Sequence, residues 1–274
     1  MAPEAMLCRS SSDLPEGRGW VLEPKWDGYR FIYSVGPDRV QAHTRNGHPH
    51  GGRFPYLEAE LREAFPAGAV VDGEIVALGV GPDGRPAQDF DLLGPIFAAR
   101  PPHAPEACGL YYVAFDLLEV DGADLRPRPW RERRAALEQA LPEPRGNVSV
   151  TPVTSCSSEA HEGHLAAGFE GSVGKRVDGR YLSRHRTWVK IKRRFELDAT
   201  VRAVSWGRDG ELHVLCGGPD GSDVGWAEVF SAPLRTAAAV GELAQGSTVS
   251  VVFSNRTARG RLREARIVAL KVRR

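Results

Sequence analysis

Lys25 stands in the octet Glu23-Pro24-Lys25-Trp26-Asp27-Gly28-Tyr29-Arg30, where one strand-like run, over 19–24, gives way to another, over 29–35. A lysine displayed at such a junction is a candidate nucleophile, because its amine attacks once burial or neighbouring cations lower its pKa. Gly28 offers the junction a backbone conformation barred to other residues. Lys190 and Lys192 flank Ile191, and a strand's period of two aims both amines at one face, where they suit phosphate oxygens. Glu170 and Lys175 lie five residues apart, on opposite faces of a regular strand unless the glycines between them bend it. At this level a mixed-charge surface hairpin around Lys25 and a solvated strand face at 190–192 stay open as readings.

Two lookalikes carry less. Gly171-Ser172-Val173-Gly174-Lys175 shares part of a phosphate loop, but the full G-x-x-x-x-G-K-[ST] spacing is absent and Arg176 follows the lysine. The eight histidines, His48 and His50 among them, have no carboxylate or cysteine partner at metal-site spacing and read as surface residues. Cys8, Cys108, Cys156 and Cys216 are too scattered for a zinc grip or a disulfide framework and read as reduced bystanders.

The elements that must position these residues come in two blocks. Residues 1–18 are polar and rich in Pro, Gly and Ser, and are expected to form a loose arm. Strand-like runs follow at 19–24, 29–35, 40–44, 69–78 and 110–118, with helical periodicity at 55–65 and 130–141. Without a regular βαβ rhythm this mixture reads as an α+β domain with antiparallel sheets, over residues 1–196. The Pro/Gly-rich stretch 79–105 reads as an irregular surface connection. From about Leu197 to 274, five short β-rich runs suit a small closed barrel, an OB-fold by strand number, with an SH3-like barrel as the other option.

Composition is that of a globular chain, 42% hydrophobic and 26% charged, with no apolar run of membrane-spanning length and no signal-like N-terminus. A cytoplasmic protein with no membrane partner is expected. Net charge is only +1, yet residues 175–194 carry +8 and residues 256–274 carry +7, so the remainder is acidic. Two basic strips on a near-neutral chain fit nucleic-acid contact through a defined face.

The octet resembles the lysine motif of the covalent nucleotidyltransferases, the superfamily of ATP-dependent DNA ligases, RNA ligases and mRNA capping enzymes. That superfamily's further motifs occur in order: Thr44-Arg45-Asn46-Gly47, Asp72-Gly73-Glu74, Tyr112 to Leu118, Glu170 to Lys175, and Trp188 to Lys192. Each is short, and the specificity lies in six of them in one order across residues 23–192. The resemblance implies Lys25 as the nucleophile that takes AMP from ATP. It implies Arg30 and Arg45 on ribose or phosphates, Glu74 on the ribose hydroxyl or a metal, and Phe115 stacked on adenine with Glu23 at its amino group. It implies Glu170 on a divalent cation, Mg²⁺ with Mn²⁺ as a substitute, Lys175 on the α-phosphate, and Lys190 and Lys192 on phosphates. The superfamily's last motif is matched only approximately, by Arg261 to Arg266, with Arg263 and Arg266 implied as pyrophosphate or DNA contacts.

Together the motifs and the barrel look most like the small ATP-dependent DNA ligases of bacteria, including the ligase modules of end-joining proteins. Nicked duplex DNA is then the implied partner, at the nucleoid if the source is bacterial, with repair or recombination as the setting. A repair polymerase or a DNA-end-binding protein is an implied companion. RNA ligase, GTP-using capping enzyme and non-catalytic nucleic-acid-binding module stand as alternatives.

Overall fold

The computed structural model describes residues 4–80, 86–98, 109–256 and 260–271. The chain divides into two units, Met1–Lys192 and Arg193–Arg274, a few residues ahead of the expected boundary at 196.

The first unit begins with β1 (Cys8–Ser11), β2 (Trp20–Pro24), β3 (Tyr29–Val35) and β4 (Val40–Thr44). Helix α1 (Pro55–Ala64) starts on a proline, whose fixed φ suits a first helical position, and leads to β5 (Val70–Val80). Next come β6 (Pro86–Gln88), a 3-10 turn at Phe90–Leu92, α2 (Leu93–Ala98), β7 (Leu110–Val120) and β8 (Ala123–Asp124). The unit closes with α3 (Trp130–Ala140), β9 (Val148–Val150), β10 (Thr154–Ser155), α4 (Ser158–Ala166), β11 (Gly171–Arg176) and β12 (Trp188–Lys192). Ser157 caps α4, its hydroxyl accepting from the Ala160 N–H at 3.1 Å.

These strands make two sheets. The smaller runs β1-β12-β11-β2-β10, and the larger runs β4-β3-β5-β7-β8, with β6 added to β5 and β9 to β7. Pairing is antiparallel except for β1 with β12 and β7 with β9. Strand alternation sorts side chains into three layers. Phe31, Tyr33, Val71, Ile75, Tyr112 and Ala114 pack under α1, α2 and α3. Ile32, Leu118, Tyr181 and Trp188 meet between the two sheets, with Met6, Phe115 and Val173. Leu22, Val189 and Ile191 face outward from the smaller sheet, with Ala160 of α4 against them.

The second unit contains β13 (Phe195–Trp206), β14 (Leu212–Gly217), β15 (Asp223–Glu228), α5 (Ala232–Ala239), β16 (Thr248–Phe253), β17 (Asn255–Arg256), β18 (Leu262–Arg263) and β19 (Arg266–Lys271). Five of them close a barrel in the order β13-β14-β15-β19-β16. The helix falls between the third and fourth barrel strands, and the third and fifth meet in parallel at Glu228 and Arg266. That connectivity is the OB-fold. Val201, Val214, Cys216, Val249, Val251 and Ile267 fill its interior.

Two expectations are corrected. The loose arm is instead a packed strap: Ala5 and Met6 are buried, and β1 pairs in parallel with β12. The cause is an open edge of β12 and a buried niche for Met6, neither visible in a polar, turn-rich stretch. The connection at 79–105 is not wholly irregular, since Pro86–Gln88 pairs with β5 and α2 follows; residues 81–85 and 99–105, and Cys108 beyond them, lie outside the described residues.

Arg133 and Asp116 form a fully buried two-pronged pair at 2.7 and 2.8 Å, and Arg133 also donates to the carbonyls of Arg128 and Gly179. Removing one partner strands a buried charge. Asp116→Ala is expected to cost this unit about 3–5 kcal/mol in urea unfolding; a loss under about 1 kcal/mol would show that the pair anchors little.

Candidate active site

The chemistry-bearing residues converge on the space between the two sheets. In the smaller sheet Glu23 lies opposite Val173, Val173 opposite Lys190, and Gly171 opposite Lys192, so these side chains share the inward face. In the larger sheet Arg30 lies opposite Glu74. Glu170 precedes β11, so the strand parity that would separate it from Lys175 does not apply.

Lys25 follows β2 directly and donates its backbone N–H to the Gly171 carbonyl at 2.9 Å. Its ammonium pairs with Glu170 Oε2, while Glu170 Oε1 takes Lys192 Nζ at 2.5 Å. Burial pushes the Lys25 pKa down, but Glu170, with help from Glu74 and Asp27, outweighs it and holds the amine above its ordinary value. Burial raises the Glu170 pKa in turn, and Lys25 and Lys192 bring it below the ordinary carboxylate value. The expectation of a lysine with a lowered pKa is therefore reversed in this state. Gly28 serves a close approach, not a left-handed turn: a Cβ there would lie 2.1 Å from the Ile75 carbonyl oxygen.

Lys175 stands apart from that cluster. Its Nζ lies 2.8 Å from Glu23 Oε2, donates to the Phe115 carbonyl at 2.9 Å, and sits 4.1 Å from the Trp188 ring centre. Only 1% of Lys175 is exposed, and in this structure its ammonium serves Glu23 and Phe115. Glu23 Oε1 is buried without a hydrogen-bond partner. Burial raises the Glu23 pKa, and Lys175 opposes that rise. Half-buried Phe115 meets Trp188 edge-on at 5.8 Å. One carboxylate oxygen awaiting a donor beside an aromatic ring fits the amino edge and face of a purine.

Arg30 is committed to structure. It grips Asp72 at 2.9 and 2.5 Å, donates to the Met6 carbonyl at 2.6 Å and lies 5.2 Å from both the Phe115 and Trp188 rings. Tyr181 donates to the same Asp72 at 2.7 Å. Glu74 is half-buried, and burial pushes its pKa up to about 7 against the pull of Lys25 and Arg30. Arg45 is exposed in the turn after β4, outside these contacts. In the barrel unit Arg263 lies on β18, and exposed Arg266 covers the Phe230 ring at 5.0 Å.

The structure thus joins Lys25, Glu170 and Lys192, and joins Glu23, Lys175 and Phe115. Both oxygens of Glu170, the expected cation ligand, are taken by lysines in this structure. Among the described residues no three His, Cys, Asp or Glu side chains group as a metal site. Sequence reasoning missed the roles of Trp188, although it shares strand parity with Lys190 and Lys192, of Asp72, which stood in the Asp72-Gly73-Glu74 motif without a role, and of Tyr181, which carries no local signal. It also missed Ser172, whose Oγ lies 2.8 Å from Nδ1 of both His161 and His164 behind the smaller sheet.

Compared with known proteins, the chain matches the ATP dependent DNA ligase domain over residues 5–192. DNA ligase C1 of Mycolicibacterium smegmatis is 31% identical over 220 residues, 76% of this chain and 61% of that protein. The multifunctional non-homologous end joining protein LigD of Pseudomonas aeruginosa is 32% identical over 218 residues, 78% of this chain and 24% of that protein. A solved Lig E DNA ligase shares the fold at a TM-score of 0.70 and 20% identity, over 99% of this chain and 100% of that one. A mycobacterial DNA ligase D complexed with ATP and MES does so at 0.60 and 23%, over 98% and 94%. The chain spans 61% and 58% of the two curated relatives first matched. The fold so defined is a two-sheet α+β domain followed by an OB barrel. The chain belongs to the ATP-dependent DNA ligase domain family.

Burial, then the neighbouring His161, hold the His164 pKa below 6.5. The unfolded chain then binds this proton more readily than the folded one. The contribution of His164 to stability is complete above about pH 6.5 and is lost as pH falls from there towards the depressed folded value. Urea midpoints are expected to drop further between pH 7 and pH 5.5 in the wild type than in His164→Asn; equal drops would contradict the assignment.

Proposed function

We propose that this chain is an ATP-dependent DNA ligase that seals nicks in duplex DNA. The neutral Lys25 amine attacks the α-phosphorus of ATP, forming an N–P bond as the bond to the bridging oxygen breaks and pyrophosphate leaves. The 5′-phosphate at the nick next attacks that phosphorus and releases the lysine, giving a DNA-adenylate. The 3′-hydroxyl then attacks the 5′-phosphate, expels AMP and closes the strand.

The observation that carries this reading is the arrangement around Lys25. Two further site lysines, Lys190 and Lys192, share its cleft and suit phosphate oxygens, while Glu23 and Phe115 suit adenine. Arg45, Arg263 and Arg266 are the proposed contacts to nick or pyrophosphate. Arg30 acts through Asp72 on the shape of the site, and Lys175 acts on Glu23. Mg²⁺, or Mn²⁺ in its place, supplies neutralisation of phosphate charge when bound with the nucleotide. Glu74 is the protein group that fits it, a half-buried carboxyl poised near pH 7 whose charged form a cation favours.

Repair is the proposed setting, supported by the likeness to an end-joining protein, with a polymerase or end-binding protein as companion. No helix among the described residues is long and apolar enough to cross a membrane; a cytoplasmic, nucleoid-associated location is proposed with the DNA substrate.

The test is incubation of the wild type and Lys25→Ala with α-labelled ATP or GTP and Mg²⁺, followed by singly nicked duplex DNA or, in parallel, nicked RNA. AMP label on the wild type alone, discharged as the nick is sealed, is the expected result. Preference for GTP would indicate capping chemistry, discharge only to nicked RNA would indicate an RNA ligase, and no label would leave a nucleic-acid-binding module.

A further inference from the structure

We infer that Ser172, held between His161 and His164, is a positioning residue for self-adenylation, fixing the backbone segment that carries Glu170 and the carbonyl that receives the nucleophile's N–H. The inference rests on the ligase reading and extends it to residues behind the site.

Ser172 is fully buried on β11 and takes the outward parity, towards α4, while Gly171 and Val173 take the inward one. His161 and His164, three residues apart on α4, share a helix face, and each brings Nδ1 to 2.8 Å from the same Oγ. A hydroxyl has one proton and two lone pairs, so it donates to one imidazole and accepts from the other. Neutral rings in opposite tautomers satisfy all three groups. A buried apolar contact would hold a helix on a sheet without this requirement for matched partners, so the polar choice specifies one register and one direction.

That register matters at this strand position. Ser172 lies opposite Pro24 on one side and Ile191 on the other, between the residue before Lys25 and the residue before Lys192. Pro24 has no N–H to give to the ladder. The tie between the two strands instead includes the Lys25 N–H, which reaches the Gly171 carbonyl at 2.9 Å. The other end of the segment is fixed by the same helix: the Phe169 N–H donates to the His164 carbonyl at 3.1 Å. The Phe169 ring lies edge-on to Trp26 at 4.9 Å, and Trp26 donates to Thr151 Oγ1 at 2.9 Å. Glu170 therefore sits between two points anchored by α4, and Trp26, beside Lys25, leans on the same anchor. Loss of the hydroxyl contact removes the α4 tie at one end of a four-residue segment whose second residue pairs with the nucleophile, leaving that end held by the strand ladder alone.

The test compares the 274-residue wild type, Ser172→Ala, His161→Leu, His164→Leu and His164→Asn. The rate of AMP label entering Lys25 is measured across ATP concentrations, with urea midpoints taken alongside. The expected result is a maximal rate lowered about tenfold or more in Ser172→Ala and His164→Leu, with KM for ATP within about threefold of wild type. His164→Asn, which keeps a polar group near the Nδ1 position, recovers most of the rate. His161→Leu, at a half-buried site, gives the same direction of change in a variant chosen to fold if Ser172→Ala does not. Wild-type maximal rates in folded variants, with only lower urea midpoints, would overturn the positioning role while leaving the ligase reading intact. An unlabelled wild type would overturn the ligase reading and this inference with it.

Discussion

One carboxylate, Glu170, holds two lysines that arrive on different strands, Lys25 at the end of β2 and Lys192 at the end of β12. Two ammonium groups about 4 Å apart repel by about 4 kcal/mol at the effective dielectric of a protein surface. Two lysines brought this close therefore need an anion between them, and on the proposed function that anion serves until phosphates arrive. Glu170 supplies it. In the proposed reaction, the consequence is that Lys25 rests as an ammonium, and its proton must leave before nitrogen can bond to phosphorus.

The same logic governs the Glu23 side of the cleft. Lys175 is buried, and its cost is offset by Glu23, by the Phe115 carbonyl and by the Trp188 ring. The pair leaves one oxygen of Glu23 unsatisfied, which is the kind of exception that marks a binding group. Around it the Arg30–Asp72–Tyr181 network ties the larger sheet to Met6 in the N-terminal strap. Since β1 also pairs with β12, that strap braces the strand on which Lys190 and Lys192 stand.

Much of this was legible in the sequence, because strand parity and motif order are local properties. The runs at 29–35, 40–44 and 130–141 correspond to β3, β4 and α3, and five β-rich runs after Leu197 correspond to the barrel. Lys190 and Lys192 do share a face with Glu23, as the period of two requires. What was hidden depends on partners distant in the chain. The pairing of β1 with β12, the commitment of Arg30 to Asp72 and the hold of Glu23 on Lys175 join residues 42 to about 180 positions apart, and no spacing rule reaches that far. The two histidines behind Ser172 were invisible for the same reason: each looks like a surface residue until α4 is laid on β11.

The most direct measurement is the titration of Lys25 itself, followed by ¹³C NMR at its ε-carbon in the metal-free protein and in Glu170→Gln. If Glu170 is the constraint described here, Lys25 titrates above its ordinary value of 10.5 in the wild type and moves down when the carboxylate is neutralised. A Lys25 that titrates below that value in the wild type, and does not respond to Glu170→Gln, would contradict the account.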